Sequence, residues 1–464
     1  MAGFVGRRTE LSRLENIWNS ELNKSCVVYG RRRVGKSELL IQFCMNKRAL
    51  YVECIQESLA NNMRNIAKSL SLLDGKERKG YEYIVDALED VFHLCATEKT
   101  VVVMDEIPYL IQQASHVASA LQHFVDRINR ETDSMIIICG SFMSIMLKET
   151  TDYSKPLYGR FSHYFKIEPL TLTECVEFHP KMSKIDQTKL YLTVGGIPKY
   201  HLDSNVESYK EYVMKHFFSR FEADLIDEAK FLISGEFVPA ERYLSILTAI
   251  SDGATSAKTI SEKSKIERMT CSNCLSNLCD VGIVQKIPTM FDAPIRPVYR
   301  IADNLTDFVQ SICSDSRNLA LRNASEIFDM LTPKINTFLG QRFEEICLEY
   351  TTCHWKCLHI GKWWGVDKEK ETHEIDIAAI VMESDARFAL FGECKFRNKP
   401  LGTSVYSKLV SDSELVKTDL PKKFVLFSSS GFTEDLKDIE DEGAVTLVDL
   451  DNLLKSDRNP SESL

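Results

Sequence analysis

The chain has few residues that break regular structure: 20 glycines and 13 prolines in 464 residues. That scarcity excludes a collagen-like chain, and a composition of 44% hydrophobic and 27% charged residues excludes a disordered one. Long apolar runs are also missing. The longest, such as Val101 to Met104 and Met135 to Cys139, fall far short of a membrane span. The opening Met-Ala-Gly-Phe-Val-Gly-Arg-Arg has no apolar core before a cleavage site, so no secretory signal is read there. A cytoplasmic location without a membrane partner is expected. Positive charge is not in excess: the net charge of −10 argues against a nucleic-acid-binding surface overall, while leaving room for a local basic groove. Internal repeats and long low-complexity segments are absent as well.

Fourteen cysteines are present, scattered, and read as reduced, buried thiols. Cys271-x-x-Cys274 lacks a second pair at zinc-ligand distance. The cluster of Cys353, His354, Cys357 and His359 fits no usual tetrahedral spacing.

A chain of this length is too long for one compact core, so three or four domains are expected. Ser25 to Tyr29 reads as a short buried strand. It runs into Gly30-Arg31-Arg32-Arg33-Val34-Gly35-Lys36-Ser37, a G-x-x-x-x-G-K-S loop, and a helical pattern follows to Phe43 with Glu38 in its first turn. Strand, loop and helix thus occur in the order a phosphate cradle requires. The glycines let backbone amides turn toward phosphates, and the helix N-terminus adds its positive end. Lys36 is expected to reach the β and γ phosphates of ATP, and the Ser37 hydroxyl to ligate Mg²⁺. A second apolar strand, Val101 to Met104, ends in Asp105-Glu106. There Asp105 is expected to hold Mg²⁺ through water, and Glu106 to orient and deprotonate the attacking water. Around these segments strand and helix alternate: Leu50 to Cys54, Ser58 to Leu72, Tyr81 to Cys95, Thr100 to Asp105, Ile111 to Arg130, Met135 to Cys139. The rhythm is that of a parallel α/β sheet with helices on both faces.

Further residues resemble a known family. Phe4-Val5-Gly6-Arg7-Arg8-Thr9-Glu10 is similar to the opening of AAA+ and STAND-like ATPases, which implies that Val5, Gly6 and Arg7 lie against adenine. Ser141, after the strand ending Cys139-Gly140, resembles sensor 1 and would report the γ-phosphate. Arg160, in Leu157-Tyr158-Gly159-Arg160, looks like a phosphate-sensing arginine; the alternative is an arginine paired with an acid at a turn. A finger acting in trans would imply a homo-oligomer. Pro198, in Gly196-Ile197-Pro198, resembles the lid proline near the base. Together, residues 1 to about 235 resemble the archaeal-type ATPases of the AAA+ superfamily.

In the middle of the chain, Glu241 to Ile250, Ser256 to Ser261 and Glu267 to Cys279 read as helices, with strands at Ile283 to Ile287 and Pro297 to Ile301. Three helices and a hairpin make a winged helix-turn-helix. Lys263, Lys265, Arg268, Lys286, Arg296 and Arg300 are its basic residues, few enough that DNA contact and a protein-contact role both stay open.

From about Asn336 the pattern changes. A helix from Phe338 to Tyr350 carries Glu344 and Glu345. Strands follow around Trp355 to Ile360, His373 to Ile380 and Phe388 to Lys395, then a helix from Ser404 to Val416 and strands at Lys423 to Ser428 and Ala444 to Val448. Alternation along a strand places Glu393 and Lys395 on one face with Cys394 turned away. Asp376 on a neighbouring strand can meet that face. Two carboxylates suit a hard cation such as Mg²⁺ or Mn²⁺, which lowers the pKa of bound water, and the lysine supports the charge of a phosphoryl transition state. Lys395, Arg397, Lys399 and Lys408 could guide a phosphate backbone; exposed lysines are also an ordinary solvated face.

Helix acid, strand Asp376, then Glu393-x-Lys395 resembles the PD-(D/E)XK nuclease superfamily, in particular the restriction-endonuclease-like domain found behind archaeal-type ATPases. The resemblance implies Glu344, Asp376, Glu393 and Lys395 as catalytic residues, with Asp376 and Glu393 as metal ligands. Glu344, following Phe343, is the better match for the helix acid, although helical phase leaves Glu345 open. Ile375 stands where the superfamily often has proline.

The expected organisation is an ATPase core at 1–168, a helical lid at 169–235, a winged helix at 236–305, a helical linker at 306–335 and a nuclease-like α/β domain at 336–464. Two functions follow from it: an ATP-driven protein that binds and cuts DNA, or an ATP-dependent switch whose C-terminal domain binds DNA or a partner without cutting. The tail from Ser456 is polar and expected to be disordered.

Overall fold

A computed structural model describes residues 4–21, 23–203, 205–291, 298–314, 322–384 and 386–455. Pro294, Arg296 and Pro297 of the expected wing turn, and the tail from Ser456, lie outside the described residues. The chain divides into two compact units: residues 1–170 with 197–199, and residues 171–196 with 200–464. The expected lid, winged helix, linker and C-terminal domain all fall almost entirely within the second unit.

The first unit is built on β1 (Ser25–Tyr29), β2 (Ala49–Glu53), β3 (Val101–Asp105), β4 (Met135–Gly140) and β5 (His163–Lys166). They form one sheet in the order β2-β3-β4-β1-β5, and every pairing is parallel. Parallel strands are covered on both faces, which is why β3 and β4 are continuous apolar runs buried along their whole length. The loops that follow β1, β3 and β4 leave from the same edge of this sheet. In open α/β sheets that edge takes the ligand. The helix expected over Ile111 to Arg130 is instead two, Pro108–Ile111 and Ser115–Glu131. Ala114 between them is extended, which breaks the helical phase.

In the second unit, helices Ala240–Ser251, Ala257–Ser264 and Arg268–Asp280 pack with β6 (Val284–Ile287) and β7 (Val298–Ile301), an antiparallel pair, into the expected winged helix-turn-helix. The C-terminal part is a five-stranded mixed sheet: β8 (Cys357–Val366), β9 (Thr372–Glu383), β10 (Ala386–Lys395), β11 (Lys422–Ser428) and β12 (Thr446–Asp449), ordered β12-β11-β10-β9-β8. β8, β9 and β10 pair antiparallel; β10, β11 and β12 pair parallel.

Two features differ from expectation. The helix expected from Phe338 is the second half of a 31-residue helix, Ala324–His354, that runs through Pro333. And the chain after β6 does not stand free as a wing. Thr289 bridges to Lys362, the Met290 N–H donates to the Lys362 carbonyl (2.9 Å), and the Lys362 N–H donates to the Pro288 carbonyl (3.1 Å). Segment 288–290 thus covers the edge of β8, and Met290 is buried in the C-terminal core. Covering an edge in this way removes a row of unpaired backbone groups from solvent.

Candidate functional site

Gly30 leads the loop out of β1, and a Cβ there would collide with the Ile167 carbonyl. Gly35 has φ +93°, a left-handed conformation that favours glycine, and ends the loop at the cap of helix Lys36–Cys44. Pro198 lies 3.6 Å from where a Gly35 Cβ would stand. The loop is braced from behind by buried Arg7, itself at positive φ, whose guanidinium donates to the Val34 carbonyl (2.8 Å) and pairs with Glu10 (2.9 Å). Gly6, also at positive φ, makes the turn that aims Arg7 inward. Arg32 and Glu38 are exposed at the loop and first helical turn, Arg31 and Arg33 are partly exposed, and Val34 is buried.

Two polar chains cross this sheet edge. In one, the buried Lys36 amine donates to the carbonyls of Gly30 and Arg31 (3.0 Å each) and to Ser141 Oγ (2.8 Å). Ser141 in turn donates to Glu106, whose other oxygen accepts the Ser141 N–H (3.1 Å). Glu106 itself has φ +50°, a strained position for a residue with a side chain. In the other chain, Ser37 Oγ and Tyr51 Oη both donate to Asp105 Oδ2 at 2.6 Å, while Asp105 Oδ1 accepts the Glu106 N–H (2.9 Å). Hydroxyl and carboxylate oxygens side by side are the hard donors that Mg²⁺ requires, and Lys36 with the loop amides faces the place of phosphates, so these residues fit a magnesium nucleotide.

Arg160 does not join them. Its backbone lies beside Ser25, at the start of β1, and its guanidinium pairs with Asp126 (3.0 Å). Five strand residues, about 16 Å at ~3.3 Å each, separate that end from Gly30. The pairing of the arginine with an acid, the alternative reading, is the arrangement present. Tyr51 was not expected from the sequence; the only signal is its position on the strand beside β3.

In the C-terminal sheet the β9–β10 register runs to Ile377 opposite Gly392, which makes Asp376 and Glu393 the next facing positions. Asp376 Oδ2 accepts the Cys394 N–H (3.0 Å) and lies 3.9 Å from Lys395 Nζ; Glu393 is paired directly with Lys395. Burial first, then the Asp376 charge, pushes the Glu393 carboxyl above its ordinary range. Lys395 stays protonated: burial lowers its pKa, but Glu393 and Asp376 outweigh that and raise it.

Glu344 also feels Asp376. Its carboxyl is pushed up by burial, against the attraction of Lys362, with Asp376 adding to the rise. Lys362 Nζ reaches Glu344 at 2.8 Å, and Arg300 from β7 stands 3.9 Å from the same oxygen. Glu345 is bound elsewhere, to the fully buried Arg342 (2.9 Å), which also donates to the Ile301 carbonyl and pairs with Asp307 (2.6 Å). Glu344 is therefore the helix acid whose titration Asp376 influences.

Asp376 and Glu393 fit a divalent cation as two hard oxygen donors, whereas Glu344 is held toward Lys362. Among the described residues, Asp367, Glu371 and His373 are the one trio of potential ligand atoms within 4.8 Å of one another. His373 spends both ring nitrogens on carboxylates, Asp412 (2.8 Å) and Asp367 (3.3 Å), which makes that trio an ion cluster at the β8–β9 turn. No helix among the described residues is long and apolar enough to cross a membrane.

The sheet order and the two chains on Lys36 and Asp105 define a P-loop ATPase. Residues 4–203 match the family described as an ATPase domain predominantly from Archaea, and residues 308–408 match a family of archaeal and bacterial proteins of unknown function. The two matches place an archaeal-type ATPase domain ahead of this second domain in one chain. An uncharacterized protein of Methanocaldococcus jannaschii is 27% identical over 432 residues, covering 91% of this chain and 94% of the relative. An uncharacterized ATP-binding protein of the same organism is 47% identical over 45 residues, covering 10% of this chain and 76% of its own length. The Walker-type ATPase of Pyrococcus abyssi superposes with a TM-score of 0.51 at 21% identity, covering 67% of this chain and 96% of that one, a likeness of fold.

Proposed function

We propose that this ATPase couples ATP hydrolysis to DNA binding and to metal-dependent cleavage of a phosphodiester bond. Lys36 binds the β and γ phosphates, the loop from Gly30 to Val34 cradles them, and Ser37 and Asp105 hold the metal of the nucleotide. Glu106 takes the proton of the attacking water, with Ser141 linking it to the lysine at the γ-phosphate. Val5, Arg7 and Pro198 border the base. Magnesium supplies charge neutralisation on the phosphoryl oxygens.

The single observation that carries the cleavage reading is the convergence of Asp376, Glu393 and Lys395 from two central strands, with desolvation raising Glu393. Asp376 and Glu393 would hold Mg²⁺ or Mn²⁺, and Lys395 steadies the phosphate charge. Glu344 completes the acid set once it turns from Lys362. The test is cleavage of single- and double-stranded DNA in Mg²⁺ or Mn²⁺, with and without ATP, comparing the wild type with Asp376→Ala. Cutting lost in the variant supports the nuclease and shows whether ATP governs it.

A second reading has a specific observation behind it. Glu344 is occupied by Lys362 and Arg300, and segment 288–290 is taken up by the edge of β8. An ATP-dependent switch, whose C-terminal domain binds DNA or a protein without cutting, fits that arrangement. No cutting by either protein on any substrate selects it.

A further inference from the structure

Asp105 is the meeting point of three donors. Its Oδ1 is fixed by the Glu106 N–H, and its Oδ2 accepts two hydroxyls at the same 2.6 Å, one from Ser37 and one from Tyr51. With the serine alone, Oδ2 would have a single hydroxyl holding it, and the carboxylate could still turn about the anchored Oδ1. Tyr51 removes that freedom. It lies on β2, in register with Val103 of β3, and its own backbone is tied down where Ser69 Oγ donates to the Tyr51 carbonyl (3.0 Å). A phenol held at both ends makes a rigid donor, since a ring has only two rotatable bonds to its backbone.

The chemistry requires such a donor. A serine hydroxyl that presents a lone pair to a magnesium ion must send its proton to a fixed acceptor, and here that acceptor is Asp105 Oδ2. If the carboxylate swings, the serine lone pair swings with it. The phenol reaches that oxygen at 2.6 Å, the same distance as the serine hydroxyl, so the carboxylate is held from two sides. The chain from Lys36 through Ser141 to Glu106 does not include Tyr51, so the phosphate contacts stay intact when the phenol is lost.

We propose that Tyr51 is a positioning residue for the magnesium of the nucleotide, acting through Asp105 on Ser37. Its contribution is confined to the metal-dependent part of ATP binding. The test is Tyr51→Phe in the full chain, which keeps the ring and removes only the hydroxyl. Binding of a fluorescent ATP analogue is titrated in EDTA and again across a magnesium series, with a melting curve to confirm the fold.

The expected result is affinity in EDTA within about twofold of wild type, together with a half-saturating magnesium concentration raised about three- to tenfold, the loss of one charge-assisted hydrogen bond. Tyr51→His, which restores a donor on a ring, is expected to recover part of that shift. Equal losses of affinity with and without magnesium would overturn the proposal by making Tyr51 a packing residue only. An unchanged magnesium titration would overturn it too.

Discussion

Lys362 holds Glu344 at 2.8 Å inside the second unit, both side chains less than a fifth exposed, so the acid that would complete the C-terminal site is already neutralised. A buried carboxylate stripped of its partner keeps its desolvation cost, typically about 3 kcal/mol or more. Lys362→Met, which keeps the stem and removes the charge, is therefore expected to lower unfolding stability by about 3 kcal/mol. If Glu344, Asp376 and Glu393 share a cation, millimolar Mn²⁺ replaces the missing charge and restores much of the loss. Thermal unfolding with and without Mn²⁺ reads this directly. A variant whose stability ignores Mn²⁺ sinks the shared-cation idea while leaving the ion pair intact.

The seam between the winged module and β8 gives an independent handle. A Cβ at Gly361 would collide with the Pro288 carbonyl and meet Met290 Cγ at 3.3 Å. Gly361→Val is expected to unseat segment 288–290 without touching Asp376 or Glu393. Hydrogen exchange at the Met290 and Lys362 amides, both bonded across the seam, then rises by an order of magnitude or more. Unchanged protection would show that the edge of β8 tolerates the side chain.

Much of this architecture was legible. Four of the five strands of the first unit and three helices of the winged module fall within a few residues of where apolar periodicity places them, because buried parallel strands and amphipathic helices leave strong local patterns; the short β5, with only Phe165 fully buried, does not. The long helix reads in two pieces, a helical linker to 335 and a helix from Phe338; inside Ala324–His354 the two are continuous through Pro333, with Phe328, Leu331, Ile335 and Phe338 buried along it. The contacts that set the C-terminal site were invisible for another reason. Lys362, Arg300 and Glu344 are far apart in sequence, and each is an ordinary charged residue until the fold brings them together. Arg160 shows the opposite case, a residue of suggestive context that precedes β5 and is paired with Asp126 beside the start of β1.

Glu106 and Lys36 separate binding from hydrolysis. Lys36 is the buried amine that bonds the carbonyls of Gly30 and Arg31 and Ser141 Oγ, so Lys36→Ala is expected to abolish measurable ATP binding. Glu106→Gln keeps one of the two hydrogen bonds accepted from Ser141 but removes the base. ATP affinity is expected to stay within a few-fold of wild type while the hydrolysis rate drops about 10²- to 10⁴-fold. Single-turnover hydrolysis with nucleotide binding measured in parallel decides it; a variant that hydrolyses at the wild-type rate moves the base elsewhere. Arg160→Ala serves as the contrast, with ATP affinity unchanged and at most about 1 kcal/mol lost from its exposed pair with Asp126.

The second unit also carries two buried histidines whose titration has a definite sign. His179 and His201 are each at most 2% exposed, with ring centroids 5.5 Å apart, and neither ring nitrogen of His179 has a hydrogen-bond partner. Burial pulls both down to about 4 from the ordinary 6.5; Asp203 opposes this at His179, and the Gly195 carbonyl opposes it at His201. Above pH ~6.5 folded and unfolded chains are both neutral here, and pH has no leverage. Between 6.5 and 4 the unfolded chain takes up protons that the folded one refuses, so stability falls, and below 4 the loss levels off. At pH 5 the expected cost is about 2 kcal/mol per ring. Denaturant unfolding at pH 7 and pH 5 measures it, and His179→Phe should remove roughly half of the difference. A wild-type chain equally stable at both values would mean that these rings accept protons in place, with water or a rearranged neighbour reaching them.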